Sequence, residues 1–161
     1  MLKNLRQMKH EFLQHWKHYV FQSLFFTFLM FIVLVFLTLE NAVVAASVGS
    51  SAFVVFAMPN SVPAKPRNLI GGQIVGMACG ALGSFLAVIM PGSSLLFYSV
   101  AVGLSIFIMV VTDTEHPPAS GTALGVAISS FSWNVALGVI TACIFLSVVH
   151  VAARKHIRDL V

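Results

Sequence analysis

The sequence predicts an all-α, polytopic membrane helical bundle with six membrane segments, four full spans plus two short or broken ones. Composition carries the first part of that expectation. The 161 residues are 58% hydrophobic and 9% charged, whereas a soluble domain carries roughly 25% charged residues. Mean hydropathy is +0.95. The second observation is repetition: apolar runs recur along the chain, several near the roughly 20 residues that a membrane-crossing helix needs. The third is punctuation, because prolines, acids and cations gather in short clusters between those runs.

Residues 1–18 interleave Leu2, Leu5, Phe12, Leu13 and Trp16 with Lys3, Arg6, Lys9 and Lys17. That spacing predicts an amphipathic helix lying on the membrane surface. It is too polar, and the run after it too long, for the apolar core of a cleavable signal. A single transmembrane domain is expected over 19–152. Val20–Leu39 is an uncharged run, broken by Glu40 and Asn41. Ala42–Met58 is shorter and rich in small residues, and PNSVPAKPRN (59–68) reads as a loop. Leu69–Met90 is a full span closed by Pro91 and Gly92, and Leu95–Thr112 is another. A short segment, Pro118–Phe131, and a last span, Ser132–Val151, follow; residues 153–161 form a basic tail.

The formal net charge is +4. The basic residues flank apolar runs, which points to orientation and lipid headgroups and away from nucleic acid. Six crossings place Lys3, Arg6, Lys9, Lys17, Lys65, Arg67, Arg154, Lys155 and Arg158 on one side. Both termini are then cytoplasmic, in what is expected to be a bacterial inner membrane. Re-entry of both short segments misplaces only Lys65 and Arg67, so the two topologies compete.

GSSAFVVFA (49–57) and SGTALGVAI (120–128) resemble each other, and each lies between two long spans. The halves 20–90 and 95–151 therefore suggest an inverted three-helix repeat, the plan of many secondary transporters. Gly72, Gly76 and Gly80 recur every four residues, a ladder that lets helix backbones approach closely, within one chain or in a homo-oligomer. Cys79 and Cys143 stand alone in apolar runs and read as buried thiols.

The stretch VTDTEHPPASGTALG (111–125) sets Asp113, Glu115 and His116 inside this apolar chain. Pro117 and Pro118 suit a helix start. A helix start offers unpaired amides and about half a positive charge, an anion site. Ser120, Gly121 and Thr122 add hydroxyls and little bulk. Gly49, Ser50 and Ser51 offer the same from the other half. The expectation is that the two short helices meet tip to tip near the midplane and hold a small anion. Asp113, Glu115 and Glu40 are candidates for coupling or gating.

PAKPRNLIGGQ (63–73) and HPPASGTALG (116–125) together resemble the HPP family of integral membrane proteins, over about residues 21–151. Members from chloroplasts and cyanobacteria look like nitrite transporters, so the resemblance implies movement of a small monovalent anion. It also implies roles for Pro66, Arg67, Asn68, Gly71, Gly72, His116, Pro117 and Pro118. The family pattern usually has Gly and Ala where Ser120 and Gly121 stand, Gln at Lys65 and His at Gln73. It is usually described with four spans.

The leading expectation is a secondary transporter or channel for a small inorganic anion, nitrite first, with no cofactor and no metal. No phosphate-binding loop of the GxxxxGKS type occurs. The alternatives are a membrane-embedded enzyme or metal site around His116, Asp113 and Glu115, and a sensor or structural subunit.

Overall fold

The structure, a computed structural model, describes residues 5–36 and 42–160. Glu40 lies outside the described residues. Six helices follow one another: α1 (Leu5–Phe36), α2 (Ala42–Ala57), α3 (Pro66–Ile89), α4 (Ser94–Val111), α5 (Pro118–Ser129) and α6 (Trp133–Ala153). No strand occurs among the described residues.

Proline places several boundaries. Pro66 opens α3 and Pro118 opens α5, positions where a missing N–H costs nothing. A single turn at Pro91–Ser93 separates α3 from α4. Asp113, with φ 54°, makes the turn that ends α4.

The N-terminal region differs from expectation. The surface helix over 1–18 and the span after it are not separate among the described residues, because α1 runs unbroken through 32 residues. At 1.5 Å per residue it is roughly 48 Å long, more than a ~30 Å hydrocarbon core. No proline or glycine interrupts it, so the polar first part continues the axis of the apolar part.

Contacts between loops gather one end of the bundle, here the tail end. Gln22 Nε2 donates to the carbonyls of Phe56 and Arg158, each at 2.9 Å. His150 bonds the Pro59 carbonyl at 3.0 Å, and Asn60 bonds Asp159. Arg67 reaches Asp113 at 3.1 Å. The middle of α1, the α2–α3 loop, the α4–α5 loop and the tail therefore lie together. At the far end, Ser84 bonds Ser130 at 3.1 Å. Successive helices thus alternate in direction.

Three helical stretches among the described residues are long and apolar enough to cross a membrane: Pro66–Ile89, Pro91–Val111 and Trp133–Ala153. The two short helices are shorter than such a crossing. α2 has 16 residues and α5 has 12, about 24 and 18 Å.

α5 sits in the middle of the bundle, against α3, α2 and α4, and buries seven of its residues. Against α3 it runs parallel. A Cβ added at Gly72 meets His116, one at Gly76 meets the Ala119 carbonyl, and one at Gly80 meets Ala123 and Val126. The glycine ladder is therefore a groove for α5 of the same chain. Against α2 it runs antiparallel: Ser51 faces His116, Ser47 faces Thr122, and Gly125 meets Val43 and Val44. Leu69, Val48, Val55, Val139, Cys143 and Leu146 fill an apolar core beside this contact. Phe85, Leu95, Phe107, Trp133 and Val148 point outward, the belt that a lipid solvent accepts.

A polar seam between helices α2, α3 and α5

The site starts at α5. Pro117 and Pro118 have no N–H, and the next two amides are already in use. Ala119 N donates to the His116 carbonyl at 2.8 Å, and Ser120 N to the Pro117 carbonyl at 3.1 Å. The free amides expected at this helix start are thus taken up by its own first turn. The tip-to-tip meeting does not form either. α2 and α5 lie side by side and antiparallel, so their N-terminal ends sit at opposite ends of the contact.

What the contact holds instead is a line of side chains. The His116 imidazole is fully buried. Its Nδ1 lies 2.9 Å from the Pro63 carbonyl, which only accepts, so Nδ1 carries the proton. Nε2 then accepts from Ser51 Oγ at 2.8 Å. Gln73 Nε2 donates to Ser51 Oγ at 3.1 Å, and Thr122 Oγ1 donates to Gln73 Oε1 at 2.6 Å. Ser47 Oγ shares its one proton between Thr122 Oγ1, at 2.7 Å, and the Pro118 carbonyl. The line Ser47–Thr122–Gln73–Ser51–His116 draws on α2, α5, α3 and the loop before α5. None of the five is more than 5% exposed. It contains no carboxylate and no ammonium, and a charged imidazole buried without a counterion would be costly. The seam is therefore neutral and internally paired.

A second set of contacts ties the α4–α5 loop to the start of α3. Arg67 donates to the Thr112 carbonyl at 3.0 Å as well as to Asp113. Asn68 Nδ2 donates to the Glu115 carbonyl at 3.3 Å. Gly71 lies against Thr114 and Gly72 against His116. The Pro-Arg-Asn-x-x-Gly-Gly stretch and the His-Pro-Pro stretch are thus the two faces of one joint.

Of the residues expected to hold a ligand, His116, Ser51 and Thr122 are brought together, and Gly121 borders Ser47. Ser50 is exposed, and Gly49 faces Met30. Pro117 is exposed, and Ser120 bonds back to the Pro117 carbonyl. Arg67 and Asp113 form an ion pair with side chains 65% and 72% exposed, outside the seam. Glu115 keeps one carboxylate oxygen buried without a partner. Among the described residues no cluster of His, Cys, Asp or Glu has the form of a metal site.

Sequence reasoning missed Ser47 and Gln73. Ser47 and Ser51 are four apart, hence on one helix face, and Gln73 is the only amide side chain in 69–90. His150, in the last turn of α6, is buried.

Fold and seam define a polytopic helical membrane protein with a polar interior. The transmembrane-region description of the HPP family matches residues 12–159, and the chain belongs to that family. It is 31% identical over 126 residues to a transmembrane protein of Dictyostelium discoideum, covering 73% of this chain and 40% of that protein. A second Dictyostelium discoideum transmembrane protein is 34% identical over 85 residues, covering 53% of this chain and 30% of that protein. The chain thus spans less than half the length of these curated relatives. Neither relative is bacterial, so they support a membrane location and not the bacterial inner membrane expected from sequence. No solved structure matches the chain.

Proposed function

We propose that this chain is a membrane transport protein for a small inorganic anion, nitrite first among the candidates, and that the seam between α2, α3 and α5 is its path. The supporting observation is the seam itself. Five polar side chains are buried where apolar residues would cost nothing to place. Polar groups kept inside a membrane protein mark substrate routes more often than scaffolding. Three hydroxyls, an amide and an imidazole replace the water around a small anion without a fixed countercharge to trap it. The permeant exchanges one internal hydrogen bond at a time for one to itself.

The seam joins both halves of the chain, α2 and α3 from the first and α5 from the second. Six crossings, with α2 and α5 as matching elements of an inverted repeat, fit the alternating directions of the helices. Both termini then face the cytoplasm. Glu115 is the candidate for coupling, through its buried, unpartnered carboxylate oxygen.

Ser51 and His116 also have the spacing of a nucleophile and its base. Both are fully buried, and Ser51 is bonded to Gln73 as well, which favours transport over catalysis.

The test is flux into liposomes holding only this purified chain, offered nitrite, formate, nitrate and chloride with and without a pH gradient. Nitrite movement that fails in Ser51→Ala and Thr122→Val supports the path. Flux at the level of protein-free vesicles removes the proposal.

A further inference from the structure

At the tail end the last turn of α6 and the loop before α3 enclose a cavity of about 260 Å³, none of whose lining residues belongs to the seam. Lys65, Arg154 and Lys155 line it, with Asn60, Pro66 and His150. Among the described residues no carboxylate pairs with any of the three cations; the ion pair seen there is Arg67 with Asp113. Asp159 is engaged by the Asn60 backbone N–H at 3.1 Å and its Nδ2 at 2.9 Å.

Two further features face the same way. α3 begins in the wall of this cavity with Lys65 at its cap position, and no side chain caps its first-turn amides. The His150 ring is only 3% exposed, donates through Nε2 to the Pro59 carbonyl at 3.0 Å, and leaves Nδ1 buried with no partner. A buried ring nitrogen without a partner marks a missing ligand or water. With Nε2–H committed to the Pro59 carbonyl, Nδ1 is an acceptor without a donor.

We propose that this cavity binds a phosphate-class oxyanion, supplied by the headgroup of an anionic lipid or by free phosphate. Three cations lining one cavity repel one another until an anion sits among them. A phosphate group has enough acceptor oxygens for three side chains and a helix start at once, and the P–OH of its monoprotonated form can donate to the His150 Nδ1. The site lies where a membrane-spanning helix ends, the depth of lipid phosphates. It is separate from the seam, so it stands whether or not the chain moves nitrite.

The test is a thermal-unfolding titration of the full chain in a neutral detergent. The probes are dioctanoyl phosphatidic acid, inorganic phosphate and, as control, dioctanoyl phosphatidylcholine. The expected result is saturable stabilisation by phosphatidic acid or by phosphate and none by the control. The affinity should fall by about tenfold or more in the triple variant Lys65→Gln, Arg154→Gln, Lys155→Gln. Response to phosphatidic acid alone assigns the site to lipid; an equal response to inorganic phosphate assigns it to the free oxyanion. Arg154→Gln alone serves if the triple variant does not fold. No stabilisation by either probe, or an unchanged affinity in the variants, overturns the proposal.

Discussion

His116 donates from Nδ1 to the carbonyl of Pro63, 53 residues earlier in the chain, at 2.9 Å. This bond fixes the imidazole tautomer and leaves Nε2 to accept from Ser51. It also docks the loop before α5 onto the loop before α3. Replacing the ring by a methyl removes both bonds; Ser51 Oγ keeps Gln73 as donor and the Ser47 carbonyl at 3.0 Å as acceptor, while the Pro63 carbonyl loses its donor and the space of the ring is left empty. An orphaned carbonyl costs about 1–3 kcal/mol, and a cavity adds to it. His116→Ala is therefore expected to lower stability by roughly 2–5 kcal/mol, read as a fall in Tm in detergent, and to cut nitrite flux in liposomes by more than half. A wild-type Tm refutes the paired geometry, whatever the flux.

Gln73 is the centre of the seam, accepting from Thr122 at 2.6 Å and donating to Ser51 at 3.1 Å. Gln73→Leu keeps a side chain of similar bulk and removes both bonds, so the line breaks in its middle. Gln73→Glu keeps the acceptor and puts a negative charge in the path when ionised. Both variants are expected to insert and to lose nitrite flux, Gln73→Glu by the larger factor at neutral pH. Lowering the external pH should restore part of the Gln73→Glu flux, because a protonated carboxyl is neutral. Equal flux in all three proteins places the route elsewhere.

Much of the helix pattern was legible because punctuation is local. Pro66, Pro91 and Pro118 each open a helix or turn where the chain places them, and the long apolar runs become α3, α4 and α6. The family motifs were legible too, although not their function as two halves of a joint, since nothing local pairs Asn68 with Glu115. The orientation of the short helices was not legible. Whether two small-residue segments meet end to end or flank to flank depends on what each can bury. Side by side, Gly125 lets Val43 and Val44 approach, which a contact between tips does not offer. The continuity of α1 was hidden for a related reason: a change from polar to apolar faces looks like a boundary, yet no residue there breaks a helix.

Gly76 sets the distance between α3 and α5. A Cβ there collides with the Ala119 carbonyl, a backbone atom that cannot swing aside. Gly103, on α4, has open space at the same test. Gly76→Ala is therefore expected to cost about 1–3 kcal/mol by overpacking and to disturb the seam, since Ala119 and Thr122 share α5. Gly103→Ala should leave stability unchanged or raise it by up to about 1 kcal/mol. Thermal unfolding of the two variants side by side checks this, and equal effects refute the close approach.

Arg67 and Asp113 are paired at 3.1 Å but mostly in solvent. Exposed pairs contribute about 0–1 kcal/mol, so Arg67→Ala should shift stability by less than about 1 kcal/mol. Its effect on flux, if the seam is the path, is loss of a positive charge near one mouth. That loss should shrink as salt rises, because the Debye length falls from about 10 Å at 0.1 M to about 3 Å at 1 M. A flux defect independent of salt assigns Arg67 a direct role that its position does not suggest.

Contacts at the tail end put Lys65 and Lys155 around one cavity, while Gly92 lies on the turn between α3 and α4, past the far end of α3. Six crossings require Lys65 and Lys155 to share a side of the membrane and Gly92 to face the other. Single cysteines at Lys65→Cys, Lys155→Cys and Gly92→Cys, in a chain carrying Cys79→Ala and Cys143→Ala, report this through a membrane-impermeant maleimide added to sealed vesicles. The two native thiols are buried, so their removal clears background without exposing a surface. The expected pattern is Gly92→Cys labelled from one side and the other two from the opposite side. If α2 re-enters instead of crossing, the first span alone separates the N-terminus from Lys65. An N-terminal tag accessible from the side opposite Lys65→Cys would then replace six crossings with the re-entrant topology.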